Sequence, residues 1–409
     1  MKRTFHKFVA LNCALFLLGS ISAQGAEKLP IINEANGFVI SEASDALALA
    51  RIEEKWVIAG SDSKDASWVA LFNQKGDEIW RIFPVSVGQG GEGFISAAEV
   101  DSRGILVAGL SQNSLILPTV QISDAPPTSA PTPLPSATNT PSKSVPLANP
   151  DNVTPVANNP FRKDIANIFL IRVDVNGKLE SIFNVANTRG LIPNSIATIG
   201  DVIFLSGNEL GETGKSRGGL LKFALDGTTS SYTFGASQTT FNRLISRTSK
   251  TLSIIGSSAE TILDRKVVGK RDGIILDISP ATGAITKILR SSGKGASRSW
   301  ESANGNLLVA GTSRVGSLQE GVVTAFTAKG AVSWTLRFPK STKALARGNC
   351  IAIAAQGSGS LLYLVDSKGK EIKGARLPNQ ELLAVATTPA KGCAILTAAS
   401  VGGIRLSYL

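Results

Sequence analysis

Histidine is almost missing from this chain of 409 residues: there is one, His6, and it precedes the first apolar stretch. Beyond it the chain cannot build a Ser-His-Asp triad, a histidine-ligated zinc site or a histidine general base. Cysteine is nearly as scarce, with three residues and no Cys-x-x-Cys pair. There is no P-loop and no His-Glu-x-x-His helix, and the glycine-rich stretch Gly88-Gln89-Gly90-Gly91-Glu92-Gly93 precedes no helical pattern, so it is not expected to cradle phosphate. Aromatic residues make up 6%. They are not interleaved with the basic residues as stacking platforms for single-stranded nucleic acid would be, so the net charge of +11 does not point to nucleic acid. No metal or cofactor is expected from these residues.

What is present at the start is an address. Lys2, Arg3 and Lys7 precede an apolar stretch from Phe8 to Leu18, and Ser20-Ile21-Ser22-Ala23-Gln24-Gly25 is a small-residue cleavage region. Residues 1–25 therefore read as a signal peptide cut after Gly25. The stretch is too short to span a bilayer comfortably, Cys13 lacks the small residue expected before an acylated cysteine, and no later stretch reads as a transmembrane helix. The expectation is a secreted or extracytoplasmic protein of a bacterial cell envelope. Its removal takes His6 away and lowers the net charge from +11 to about +8. It leaves Cys350 and Cys393, at matching positions of neighbouring repeats, as either a disulfide or two separate buried thiols.

The rest of the chain repeats one phrase. Trp56-Val57-Ile58-Ala59-Gly60 returns as Ile105-Leu106-Val107-Ala108-Gly109, and further copies end at Gly207, Gly256 and Gly311. Two degenerate copies end at Ala355 and Ala398. Each reads as an apolar strand meeting a small residue at a tight bend. A second strand follows and closes in a turn such as Asn73-Gln74-Lys75-Gly76 or Asp366-Ser367-Lys368-Gly369. Asp and Asn bond their own backbone there and Gly accepts positive φ, which marks hairpins. With a strand on either side, each unit is a four-stranded blade, and the spacing predicts an all-β, seven-bladed β-propeller in one domain over 26–409. The last blade has room for three strands, so the mature N-terminal segment from Lys28 to Val39 is expected to supply its fourth and close the ring.

One interval is stretched. Between Gly109 and Gly207 lies an insertion, 112–162, and 11 of the 18 prolines fall between Pro118 and Pro160. Its Pro/Ser/Thr/Ala composition predicts a disordered loop of polyproline character, which resembles O-glycosylated stalks. It replaces the loop between the second and third strands of blade 2. The corresponding loop of blade 4 carries Arg265, Lys266, Lys270 and Arg271, that of blade 3 carries Lys215 and Arg217, and that of blade 5 carries Arg314. Binding side chains favour loops on a rigid scaffold. These seven are the candidate binding residues, and the partner they suggest is an anionic envelope polymer or another exported protein. The acids near this face, Glu209, Glu212 and Glu260, share no motif, and Asp174, Asp226 and Asp366 sit at hairpin turns, so no catalytic residue is assigned.

The unit "apolar run, small residue, loop, apolar strand, Asp-x-x-Gly, then Trp", as in Gly76-Asp77-Glu78-Ile79-Trp80 and Gly330-Ala331-Val332-Ser333-Trp334, resembles bacterial β-propeller repeat proteins of the SBBP type. It is also similar to the quinoprotein-like propeller repeat. That second resemblance would imply pyrroloquinoline quinone and calcium, and no residue set here matches such a site. The resemblance implies an exported binding or scaffold protein. The alternatives are a carboxylate-based polysaccharide-acting enzyme working in the central channel, and a quinoprotein-like enzyme.

Overall fold

The computed structural model describes residues 29–32, 36–62, 66–84, 93–112, 119–122, 166–210, 215–224, 227–357, 359–388, 392–398 and 402–409. The proposed signal peptide, nearly all of the insertion, most of the Gly88–Gly93 stretch, Glu212 and Asp226 lie outside them.

The described chain is all-β, with seven antiparallel sheets arranged as the blades of a propeller. Innermost strands, one per blade, are Ala43–Ile52, Phe94–Asp101, Leu191–Ile199, Thr239–Thr248, Ala296–Ala303, Ser341–Arg347 and Glu381–Thr387. Each packs against the next, and the last packs against the first, so they ring a central channel. The apolar core is divided into seven clusters, one at each interface between blades. This follows from the sequence pattern: the middle strands, such as Ser67–Phe72 and Asp272–Ile278, are buried along their whole length because both sheet faces meet a neighbour.

Closure occurs as the strand count requires. Gly37–Ile40 pairs antiparallel with Ile404–Tyr408, giving blade 7 its outer strand. Upstream, Ile32 donates to the Arg376 carbonyl at 3.1 Å, and Arg376 donates to the Pro30 carbonyl at 2.9 Å, which ties the same segment to blade 6. Phe38 of this closing strand lies against Gly76 of blade 1, just as Trp80 lies against Gly177 and Trp334 against Gly369. Both tryptophans also donate to the turn of the following blade, Trp80 to Val175 O at 3.2 Å and Trp334 to Ser367 O at 3.0 Å. An outer-strand side chain resting on the next blade's turn glycine thus joins blades around the ring. Gly76, Gly177, Gly227, Gly283, Gly330 and Gly369 have φ between 71 and 92°, as the hairpin reading demands.

The repeated glycine does not mark a bend. Gly60, Gly109, Gly207, Gly256 and Gly311 lie inside the second strands, facing a β-bulge in the inner strand. The bulge pushes a main-chain oxygen into the space a Cβ would fill: an ideal Cβ would lie 1.9 Å from the oxygen of Thr240 at Gly256, 1.9 Å from that of Ile192 at Gly207 and 1.9 Å from that of Ser299 at Gly311. The phrase is therefore the imprint of a defect in the strand beside it.

The insertion also departs from a plain loop. Its segment Thr119–Ile122 pairs antiparallel with Trp80–Phe83 and adds a fifth strand to blade 1, the blade before its own. Pairing with an otherwise open edge satisfies main-chain groups that an edge strand leaves free.

Candidate functional site

All seven inner strands share a bulge at one corresponding position, with extra residues Leu47, Ser96, Asn194, Asn242, Glu301, Thr342 and Leu383; Ala43–Ile52 and Thr239–Thr248 each carry a second register shift. All but Thr342 line a cavity of about 570 Å³ in the channel; blade 6 contributes Lys343 instead. A bulge re-aims a side chain that regular alternation would place elsewhere. Some of these side chains also stitch blades together. Asn194 donates to Phe241 O at 2.7 Å, and Asn242 donates to Trp300 O at 2.8 Å.

The cavity lies at the N-terminal halves of the inner strands, toward the face that bears the insertion. A second cavity of about 290 Å³ lies at their C-terminal ends. Glu99 of blade 2, Arg243 of blade 4 and Arg347 of blade 6 border both. Arg243 donates to one Glu99 oxygen, and Arg347 donates to the other at 2.6 Å. Burial works against the Glu99 charge, but the Arg347 and Arg243 guanidiniums outweigh it and hold the carboxyl down at about 2. The result is an ionic bolt across the channel, joining three blades that do not touch in sequence. Glu301 behaves oppositely: burial raises its carboxyl, and Lys343 and a Thr312 hydrogen bond offset this in part. The channel residues were not among the sequence-derived candidates. Only Glu301, the extra residue beside the Trp300–Gly311 pair, is marked by the repeat; Glu99 and Arg347 pair with Leu106 and Cys350, away from the repeat's small residue.

The seven basic candidates lie at the second-to-third-strand connections of blades 3, 4 and 5, which are consecutive, but Arg217 and Arg314 fall within the flanking strands Ser216–Phe223 and Leu308–Val315 rather than on a loop. Lys215, Arg265, Lys266, Lys270 and Arg314 are exposed. Among the described residues the Arg265 guanidinium pairs only with its neighbour Asp264, at 3.7 Å, and Arg314 donates to Gly316 O at 3.0 Å within its own hairpin. The other two are turned to structural use. Arg271 donates to Gln238 O at 3.3 Å and Ser257 Oγ at 3.1 Å. Arg217 lies 3.5 Å from Glu209, which is 2% exposed, and Arg189 faces the same carboxylate at 3.5 Å.

The acids considered from sequence also have structural partners. Glu209 accepts from Thr233 Oγ1 at 2.9 Å. Glu260 caps the turn before the inner strand of blade 4, accepting from the amides of Ala236 at 2.9 Å and Gln238 at 3.1 Å and from Thr239 Oγ1 at 2.6 Å. Burial opposes its charge, and these donors prevail to lower its carboxyl. Asp174 and Asp366 each accept from two amides of their own turns. Among the described residues no group of three His, Cys, Asp or Glu side chains could hold a metal ion, and no helix is long and apolar enough to cross a membrane. Cys350 and Cys393 are bonded, with Cα atoms 5.5 Å apart, and staple blade 6 to blade 7 beside the closure.

No protein-family model matches the chain, and no curated protein sequence matches it. Among solved structures, the chain is similar to the Dos1 propeller, with 10% identity, a TM-score of 0.48, and 92% of this chain and 95% of that one covered. It is also similar to a streptogramin B lyase structure, with 12% identity, a TM-score of 0.48, and coverage of 92% and 100%. Neither likeness bears on the chemistry of this chain.

Proposed function

We propose that the chain is an exported, non-catalytic binding module whose insertion-bearing face meets a negatively charged macromolecule, an anionic envelope polymer or another exported protein. The observation that carries this reading is the set of exposed cations Lys215, Arg265, Lys266, Lys270 and Arg314 on three consecutive blades, none of them paired with an acid across blades among the described residues. Rigid blades hold the loops, and clustered charge steers an anionic partner and fixes its orientation. The leader-like residues 1–25 and the Cys350–Cys393 bond accord with export. Retention on immobilised poly-glutamate tests the electrostatic part. The variant with Lys215, Arg265, Lys266 and Lys270 changed to Gln is expected to elute at clearly lower salt, and unchanged elution would refute it. N-terminal sequencing of protein recovered outside the cytoplasm is expected to begin at Ala26.

A second reading, the carboxylate-based polysaccharide-acting enzyme, gains one observation. Glu99 and Glu301 line the same cavity, and their carboxyls are pushed in opposite directions. Such a divergence separates an acid from a base in carboxylate enzymes. Both Glu99 oxygens are held by arginines, which leaves it poorly placed to attack a substrate. Release of reducing ends from polysaccharides by the wild type, abolished in Glu301→Gln, would establish this reading over the first.

A further inference from the structure

The channel cavity has two unlike sides. Blades 7 and 1 are adjacent across the closure, and their bulge residues Leu383 and Leu47, with Leu49, give it an aliphatic wall. Leu47 is 42% exposed, although it sits on an innermost strand where a buried contact was available to its neighbours. Blades 4 and 6 give a cationic wall of Arg243, Lys343 and Arg347. Glu99 engages one nitrogen of each arginine, leaving further guanidinium donors with no partner among the described residues. Lys343 forms no ion pair within 4 Å among the described residues, although its charge acts on Glu301 of the intervening blade 5. Three cations therefore face two acids, and one of those acids is already spent on the bolt. Among the described residues no aromatic ring lines the cavity, which disfavours a stacked sugar or base.

We propose that this cavity is a binding site for a small organic anion with an aliphatic body, its acid group against Lys343 and the free edges of Arg243 and Arg347, its chain against Leu47, Leu49 and Leu383. A pocket of about 570 Å³ is within the range that holds small ligands, and an apolar wall with a few convergent polar groups is how such sites fix orientation. The site is separate from the loop cations of the proposed macromolecular surface, so either can fail without the other.

The probe is octanoate, with octylammonium as the matched cation, titrated calorimetrically into the full chain. Octanoate is expected to bind saturably with one site per chain. Lys343→Gln is expected to weaken it roughly tenfold, the scale of one lost charged contact, and Leu47→Ser several-fold. Changing Lys215, Arg265, Lys266 and Lys270 to Gln together is expected to leave it unchanged. Lys343 and Leu47 reach the cavity surface, so both variants retain the fold, which a urea midpoint verifies. Absent binding, equal binding of octylammonium, or octanoate binding indifferent to Lys343→Gln would each overturn the proposal.

Discussion

A Cβ added to Gly256 would stand 1.9 Å from the main-chain oxygen of Thr240, closer than any relaxation of a side chain could relieve. Gly256→Ala should therefore destabilise through backbone displacement, by about 3 kcal/mol, the upper range for overpacking. Gly227→Ala, at a turn with φ 80° but open space around it, should cost nearer 1 kcal/mol. Urea unfolding with unchanged slope would show the difference as a shift in midpoint.

Removing the staple between blades 6 and 7 is expected to loosen the closure. The bond encloses a sequence separation of 43 residues. Chain-entropy reasoning gives such a loop about 4 kcal/mol, and measured cases cluster at about 2–4 kcal/mol. Thermal unfolding of the Cys350→Ser/Cys393→Ser double variant, or of the wild type under reductant, should show a lower midpoint, and reductant should have no further effect on the variant.

The ionic bolt predicts a specific acid dependence. The Glu99 carboxyl is depressed from an ordinary 4.5 to about 2, so its stabilisation is complete above pH 4.5 and is lost as pH falls toward 2. That difference corresponds to about 3 kcal/mol. Glu99→Gln should cost about this much at pH 7, and the gap between variant and wild type should close as acid is added. A gap that stays constant from pH 7 to pH 2.5 in urea titrations would remove Glu99 as its source.

Two neighbours in one basic loop should separate by role. Arg271→Ala forfeits hydrogen bonds to Gln238 and Ser257 and should lower stability by about 1–2 kcal/mol. Lys266→Ala, at an exposed side chain with no partner among the described residues, should leave stability within about 0.5 kcal/mol. Only the second should reduce retention on an anionic polymer without altering the unfolding midpoint.

Much of this architecture could be read from the chain because its repeat is local. Turn glycines such as Gly76 and Gly369 announce their hairpins within four residues, and the missing strand of blade 7 follows from counting segments. The same reading misjudged Gly60 and its equivalents. Their constraint comes from a bulge in another strand, and an in-strand glycine beside an apolar run looks the same in sequence as one at a bend. It also missed Thr119–Ile122, whose pairing with blade 1 is decided by an available edge rather than by its own proline-rich surroundings. The channel groups are harder still. Glu99 meets Arg243 and Arg347 across separations of 144 and 248 residues, and only ring closure brings them together. The basic loop residues could be located in advance, but not that Arg217 and Arg271 would be turned inward.

The bolt has one last consequence. With Glu99, Arg243 and Arg347 bordering both cavities, the bolt divides the channel into a larger compartment toward the insertion-bearing face and a smaller one behind it. A solute in the larger compartment would have to pass these three side chains to reach the smaller one, so a partner seated on the insertion-bearing face would lengthen its stay.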